Sequence, residues 1–413
     1  MDGFVAETGP ATNLYLDACA TSPLAPEALQ AMQDAWQHAW GNPSSLHPHG
    51  LAAAERLESS RMELAMDLGA DPGEVMWCSG GTEAIQTALL GSAETLEPGR
   101  LLISAVEHPA TVMAAAQLAR RGWQVERLPV DRQGLLCMEQ LMPLLEPPTR
   151  MVSLIWGQSE VGSVQPITTV GNLCRQRGIR LHVDAVQVLG HARIDWGKLP
   201  VDLLSGAAHK LQGPRGIGVL LVRQGLPLQP LISGVQEGGR RGGTEPVALA
   251  AGFAAALRLC QGRLEAHGGL DPLAVGRNGL WTALQTLPGV EILGPDPADD
   301  LQRLPHHLSL MVRTRPGRPI PGRSLVRALA RRGLACSSGS ACSARRQALP
   351  GQDTTPVGAS PVLTAMGYGA EEALAGLRLS LGPWLQAKDL AVVPPMIEQA
   401  IGEVESRVGE GLG

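Results

Sequence analysis

Lys210 is the residue whose type and setting most suggest chemistry. The chain carries only three lysines, Lys198, Lys210 and Lys388, against 31 arginines. A lysine kept where arginine is otherwise preferred points to amine chemistry. Lys198 and Lys388 lie in polar surroundings, where a surface role suffices. Lys210 stands in SGAAHKLQGPRGIGVLL, with a strand running in and a Gly-rich turn and second strand running out. No acid in that segment can pair with the amine, so its pKa can fall and it can form a Schiff base with an aldehyde cofactor. Taken alone, the segment suits a surface-loop lysine equally well.

Three other strand ends shift that balance. Asp184 closes RLHVD. A carboxylate at the C-terminal end of a parallel strand lies at the ligand-binding edge of the sheet. Beside a pyridine ring it would keep the ring nitrogen protonated; Asp is also a common helix N-cap. Cys78–Glu83 reads CSGGTE, between a strand-like VMW and a helix-like AIQTALL. Small residues with free N–H groups at a helix start bind phosphate, although many strand-to-helix turns look alike. His108 follows RLLISAVE. An imidazole there could stack on a flat cofactor and move protons, where a lone strand-end histidine is more often structural. In chain order these make a phosphate cradle, a stacking histidine, an acid for a ring nitrogen and a Schiff-base lysine. That set is what a pyridoxal phosphate site requires.

The elements that must hold these residues alternate. Arg100–Val106, Val125–Pro129, Met151–Trp156, Arg180–Val183, Val201–Ser205 and Gly218–Val222 read as strands. Pro109–Arg121, stopped by Gly122, and Val170–Arg177 read as helices. Strands alternating with helices predict an α/β fold with a mostly parallel sheet between helices. We assign it to a large domain at 21–265. A long helical region starts at Ala248–Arg258, near the end of that domain, and beyond it come a strand at Leu308–Val312, a Pro/Gly/Arg-rich turn at Arg313–Arg323, and helices at Ser324–Arg332 and Leu385–Gly402. This predicts a smaller α+β domain at 266–413. Residues 1–20 are expected to pack on it, and Pro26–Ala39 reads as helical.

The 413 residues are 44% hydrophobic and 18% charged, with a formal net charge of -5. The mild acidity argues against nucleic acid or a membrane surface as partner. MDGFVAETGP has no Lys or Arg and does not read as a targeting peptide. No apolar run approaches the roughly 18 residues of a membrane span, so the cytoplasm is the expected compartment. Seven cysteines at irregular spacing, with no CxxC, argue against a disulfide framework and a structural zinc site. No metal is expected. Two of the thiols, Cys336 and Cys342, share the small-residue stretch ACSSGSACSA.

A series of ordered stretches, YLDACAT, GNPSSLH, SGGTEA, EHPA, SEVGSVQPI, HVDAVQ, AHKLQGPRGIG, RRGGTEPV, LPHHLSL, SSGSACS and LRLSLG, resembles the cysteine desulfurases. These are fold-type-I pyridoxal phosphate enzymes of the class V aminotransferase group. The resemblance runs from about Tyr15 to Gly382. It implies that Lys210 carries the cofactor, His108 stacks on its ring, Asp184 pairs with the ring nitrogen and Gln187 with the ring oxygen. Gly81, Thr82, Ser205 and His209 would hold the phosphate, and Ser159 would line the cofactor site. Thr244 would reach the phosphate of the other subunit, which implies a homodimer. Arg378 would clamp the carboxylate of L-cysteine, a bidentate task suited to Arg, and Asn42 would help line the substrate pocket. Cys342 would be the nucleophile that takes the sulfur as a persulfide, leaving alanine. A sulfur-acceptor protein would receive it, for iron–sulfur cluster assembly or thiolation. Arg345 and Arg346 would lower the thiol pKa or serve docking and solvation. The segment 347–360 is polar and Pro/Gly-rich and is expected to be mobile. Cys336 has no such role and is expected to be a small buried residue.

The chain departs from the family pattern at three places, and the segment after Cys342 is also longer than usual. Gln158 and Ser159 replace a pair of asparagines, with Gln158 or a water as the expected substitute for the second. Ala18 replaces an asparagine, and Pro383 replaces an arginine. Two further readings follow: a cysteine or cystine C–S lyase or selenocysteine lyase, which SSGSAC argues against, and a catalytically weak homologue acting as a binding partner.

Overall fold

A run of Val, Leu and Ile with little alternation is what a strand covered on both faces looks like, and the middle of this chain has several. In the computed structural model, which describes residues 13–314, 317–339 and 358–409, they build one large sheet. Twelve strands are described: β1 (Leu14–Tyr15), β2 (Val75–Cys78), β3 (Arg100–Ser104), β4 (Gln124–Leu128), β5 (Thr149–Ile155), β6 (Arg180–Asp184), β7 (Leu203–Ala207), β8 (Gly218–Val222), β9 (Val290–Leu293), β10 (His307–Val312), β11 (Leu334–Ala335) and β12 (Gly376–Ser380). The large sheet has the order β2-β8-β7-β6-β5-β3-β4. β8 runs antiparallel to both β7 and β2, and the other pairings are parallel. The sheet therefore presents the C-terminal ends of β2, β3, β6 and β7 at one edge. That is where Ser79, Glu107, Asp184 and Lys210 follow.

Helices cover the sheet. Pro26–His38, Pro48–Leu68 and Pro109–Arg120 each begin with proline in the first turn, where its missing N–H costs nothing. Pro48–Leu68 ends at Gly69, whose φ of 63° is the left-handed conformation that glycine tolerates. Its Ala-diluted apolar face, Ala53, Leu57, Leu64 and Leu68, gave no sequence signal. Val247–Ala266 is long and apolar enough to cross a membrane by length and composition, which corrects the expectation that no stretch is. It packs against Pro26–His38 and Pro48–Leu68, with Phe253, Leu257 and Leu264 fully buried.

A second apolar cluster, with Leu16, Leu308, Leu310, Leu329, Leu379 and Ile397, lies around the antiparallel sheet β12-β10-β9. β1 pairs in parallel with β11, and Asp17 bridges to Ser380 at the end of β12. Residues 14–17 thus contact segments beyond residue 330. The last helical stretch divides into Ala387–Ala391 and Val393–Gly409. Cys342, Arg345, Arg346 and residues 347–357 lie outside the described residues, and with them the expectations placed on those positions.

One buried ion pair fixes the segment leading to Thr244. Arg61 Nη1 and Nη2 each lie 2.8 Å from an oxygen of Glu237, whose side chain is 1% exposed. Glu237 also accepts the Trp77 N–H. Replacing Glu237 with alanine leaves the guanidinium enclosed with only Glu58 and the Val75 carbonyl as partners. We expect a stability loss of about 3 kcal/mol, read as a lower urea midpoint, with a smaller loss for Glu237→Gln.

Candidate active site

The residues gather on the turn Asp17–Thr21, which follows β1. Tyr15 Oη donates to the carbonyls of Asp17 (3.1 Å) and Thr21 (2.8 Å) and closes the turn. Lys210 Nζ donates to the Cys19 carbonyl (2.6 Å) and the Ala20 carbonyl (2.8 Å). Gln187 Nε2 donates to the same Cys19 carbonyl at 3.0 Å. His209 Nδ1 lies 3.2 Å from Thr21 Oγ1. Arg378 Nη2 donates to Asp17 Oδ1 at 2.6 Å. Backbone carbonyls, one carboxylate and one hydroxyl of a single turn thus bring together residues from the segments after β6 and β7 and from β12.

Burial sets the electrostatics. It pushes the Lys210 amine down from its ordinary value near 10.5 to about 8, because enclosure disfavours the cation. Burial also raises Asp184 to about 6, against the Val186 N–H, which donates to Oδ1 at 3.0 Å. Asp184 remains mostly ionised at pH 7. Glu107 is pushed by burial to about 8; its Oε1 accepts from Ser104 Oγ and the Ile155 N–H, both at 2.7 Å. It is mostly neutral at pH 7 and leaves Asp184 the charged member of the two. His209 is lowered to about 4, by burial and then by Lys210 and Arg215, and is neutral.

Lys210 therefore gains its reactive, neutral form as pH rises through about 8. We expect labelling of Lys210 in the cofactor-free protein by an amine-directed reagent, followed by peptide mapping, to rise with a midpoint near pH 8 and level off above it. A midpoint above pH 10 would contradict the burial of this amine.

The other expected residues divide. His108 caps Pro109–Arg120, its Nδ1 accepting the Ala110 N–H at 3.1 Å, which places the ring proton on Nε2. Gly81 opens the helix after β2; a Cβ there would meet Val186 Cγ2 at 2.9 Å and Ala207 Cβ at 3.6 Å, so glycine leaves room at the sheet edge. Thr82 is exposed beside it. Ser205 does not face this cradle. It is fully buried in β7 and its hydroxyl lies 2.8 Å from His182 Nε2, which Ser153 engages on the other side. Asn42 and Thr244 are exposed; Asn42 Oδ1 accepts the Ser44 N–H. The segment of Thr244 is tied to the cradle helix by Arg241 Nε, 3.0 Å from Glu83 Oε1.

Gln158 cannot stand in for the replaced asparagine as it is placed here. Its amide is occupied by the Val106 carbonyl and by the N–H groups of Glu160 and Val161. Ser159 instead offers its carbonyl, which accepts from Arg378 Nη1 at 2.9 Å and lies 3.1 Å from His307 Nε2. Cys336 is partly buried, and burial pushes its thiol to about 12. No group of three or more metal-binding side chains occurs among the described residues. A cavity of about 430 Å³ lies away from Lys210, lined by Ser44, Arg61, Val235, Glu237 and Arg240 among others.

Sequence reasoning missed the Asp17–Thr21 turn as a functional element, although YLDACAT was the first matching stretch. It acts largely through backbone carbonyls, which no side-chain motif reveals.

A mostly parallel sheet with a lysine and an acid at its strand ends, completed by a turn from the chain's start and an arginine from β12, defines the α/β class of fold-type-I pyridoxal phosphate enzymes. The family model for aminotransferase class-V matches residues 14–393. The chain is 36% identical over 399 residues to a cysteine desulfurase of Cereibacter sphaeroides, covering 94% of this chain and 96% of that one. It is 33% identical over 393 residues to the cysteine desulfurase IscS of Methanosarcina thermophila, covering 94% and 92%. Among solved structures, a NifS-like protein superimposes with a TM-score of 0.84 at 30% identity, covering 95% of this chain and all of that one. SspA in complex with cysteine superimposes with a TM-score of 0.75 at 28% identity, covering 90% of this chain and all of that one. The chain belongs to the aminotransferase class-V family, among the cysteine desulfurases.

Proposed function

We propose that this protein removes sulfur from L-cysteine, releasing L-alanine and leaving a persulfide on Cys342 for transfer to an acceptor protein. The observation that carries this reading is the convergence of Lys210, Gln187 and Arg378 on one turn, with Asp184 close enough to act on the amine. The donor set suits pyridoxal phosphate, and the space that Gly81 leaves suits its phosphate. Lys210 would hold the aldehyde, Asp184 the ring nitrogen, Gln187 the ring oxygen and His108 the ring face. Gly81, Thr82 and His209 would hold the phosphate. Bound there, the cofactor supplies a ring that stabilises negative charge at the substrate α-carbon.

The chain's own residues do the rest. Arg378 binds the substrate carboxylate. The Lys210 amine, neutral in a useful fraction near pH 8, takes the α-proton and later returns it. The Cys342 thiolate attacks the substrate sulfur; the S–S bond forms as the C–S bond breaks, and that electron pair leaves with the alanine carbon.

A second copy would complete the site. Trp36, Trp40, Leu46 and Val235 are 55%, 64%, 91% and 84% exposed. They lie on or beside the segments carrying Asn42 and Thr244, which meet around the 430 Å³ cavity. A homodimer covering this face would give Asn42 and Thr244 their roles at the partner's site. Its acceptor would belong to iron–sulfur cluster assembly or thiolation, and the cytoplasm is the compartment we favour.

The test is to add L-cysteine to the pyridoxal phosphate-loaded protein, follow the visible spectrum and assay alanine and sulfide. A spectral change with alanine is expected. Pyruvate in place of alanine would overturn the reading in favour of a C–S lyase, and an unchanged spectrum would favour a binding role.

A further inference from the structure

Arg378 is enclosed, with its side chain 3% exposed. Its guanidinium has five N–H donors. Nη1 serves the carbonyls of Ser159 (2.9 Å) and Gly339 (3.3 Å), and Nη2 serves Asp17 Oδ1 (2.6 Å). Nε is buried and has no partner among the described residues. A buried N–H left unpaired is costly, so this edge of the guanidinium suits an incoming acceptor. The adjoining Nη2 is already shared with an internal carboxylate.

We propose that Asp17 is a built-in competitor for the substrate carboxylate, an internal counter-ion that holds Arg378 between turnovers and so sets how weakly the substrate binds. The proposal rests on the reading in which Arg378 clamps that carboxylate. Asp17 is well placed for it because its backbone is fixed independently of its side chain. The Asp17 carbonyl accepts from Tyr15 Oη and the Ala20 N–H, and the residue bridges to Ser380. The carboxylate is 19% exposed and can yield to water, whereas Arg378 cannot. Other ionisable groups that interact with Arg378 include Cys19, Glu160, Lys210, His307 and Cys336; Asp17 is the carboxylate hydrogen-bonded to its Nη2. An arriving carboxylate therefore meets an ion pair already neutral, plus a like charge beside it. Substrates without a carboxylate feel neither effect.

Asp17→Asn removes the charge and keeps the acceptor oxygen and side-chain shape. In the loaded enzyme we expect the KM for L-cysteine to fall about tenfold, with kcat changed less than about twofold. Calorimetric affinity for L-alanine, which has the carboxylate but no sulfur, should tighten similarly, while that for ethylamine, which lacks the carboxylate, should not move. A residue that merely shaped the turn would shift both ligands. An unchanged or weakened affinity for L-alanine, or equal tightening of ethylamine, would overturn the proposal. Should Asp17→Asn not yield folded protein, Asp17→Ser carries the same comparison. The calorimetric arm does not depend on turnover, so wild-type protein that makes no alanine from cysteine would sink the desulfurase reading separately.

Discussion

Replacing Lys210 with alanine is expected to abolish the visible absorption of the lysine-bound cofactor and to lower alanine formation by about 10⁴-fold or more. Two functions vanish together: the covalent hold on the cofactor and the group that moves the α-proton. Positioned proton transfer alone is worth about 10²–10⁴-fold, and the covalent role adds to it. The fold should survive. Enclosure lowers the Lys210 pKa, so the folded protein resists the cation that the unfolded chain accepts. The amine therefore weakens stability below about pH 8 and ceases to do so as pH rises toward 10.5. Its removal relieves that cost while depriving the Cys19 and Ala20 carbonyls of a donor. The two effects oppose each other, so a melting temperature within a few degrees of wild type is expected at pH 7. A persistent lysine-bound spectrum, or alanine at the wild-type rate, would remove Lys210 from its assigned place.

Cys342→Ala should separate the two halves of the reaction. On the roles proposed for Arg378 and Lys210, binding of L-cysteine and exchange of its α-proton should both continue. Sulfur extraction needs a nucleophile to accept the sulfur as the C–S bond breaks. Without that thiol, alanine and transferable sulfur should both fall at least about 100-fold. Mass spectrometry after cysteine treatment reads the persulfide directly. Deuterium exchange at the α-carbon of recovered cysteine reads the surviving half. Persulfide sulfur formed at the wild-type rate would show that another group carries it. Cys336 is a poor substitute, since burial holds its thiol far above neutrality.

Much of the arrangement was legible because His108, Asp184 and Lys210 sit where periodic segments end. Gly218–Val222 was read to the residue, and the strand ending in Asp184 differed only at its boundary. The direction of β8 was not legible, since its antiparallel course is decided by closure against β2 and β7, not by its own sequence. Ser205, expected to hold the phosphate, lies in register with Asp184 across β6 and β7, and its hydroxyl engages His182 instead. Gln158 looked like a replacement ligand by chemistry alone, yet its amide is engaged by the Val106 carbonyl and the Val161 N–H. Asn42 and Thr244 lie in stretches that match the family, and both are exposed in this chain.

The pairing of β1 with β11, and of Asp17 with Ser380, has a consequence for biosynthesis. A ribosome delivers β2 through β8 long before Arg378 emerges, so the large sheet can form on a nascent chain. The turn that gathers Lys210, Gln187 and Arg378 cannot reach its final partners until β12 has been made. Cofactor capture would then come last in maturation, and a chain cut before Gly376 would keep its sheet while losing the pocket's second wall.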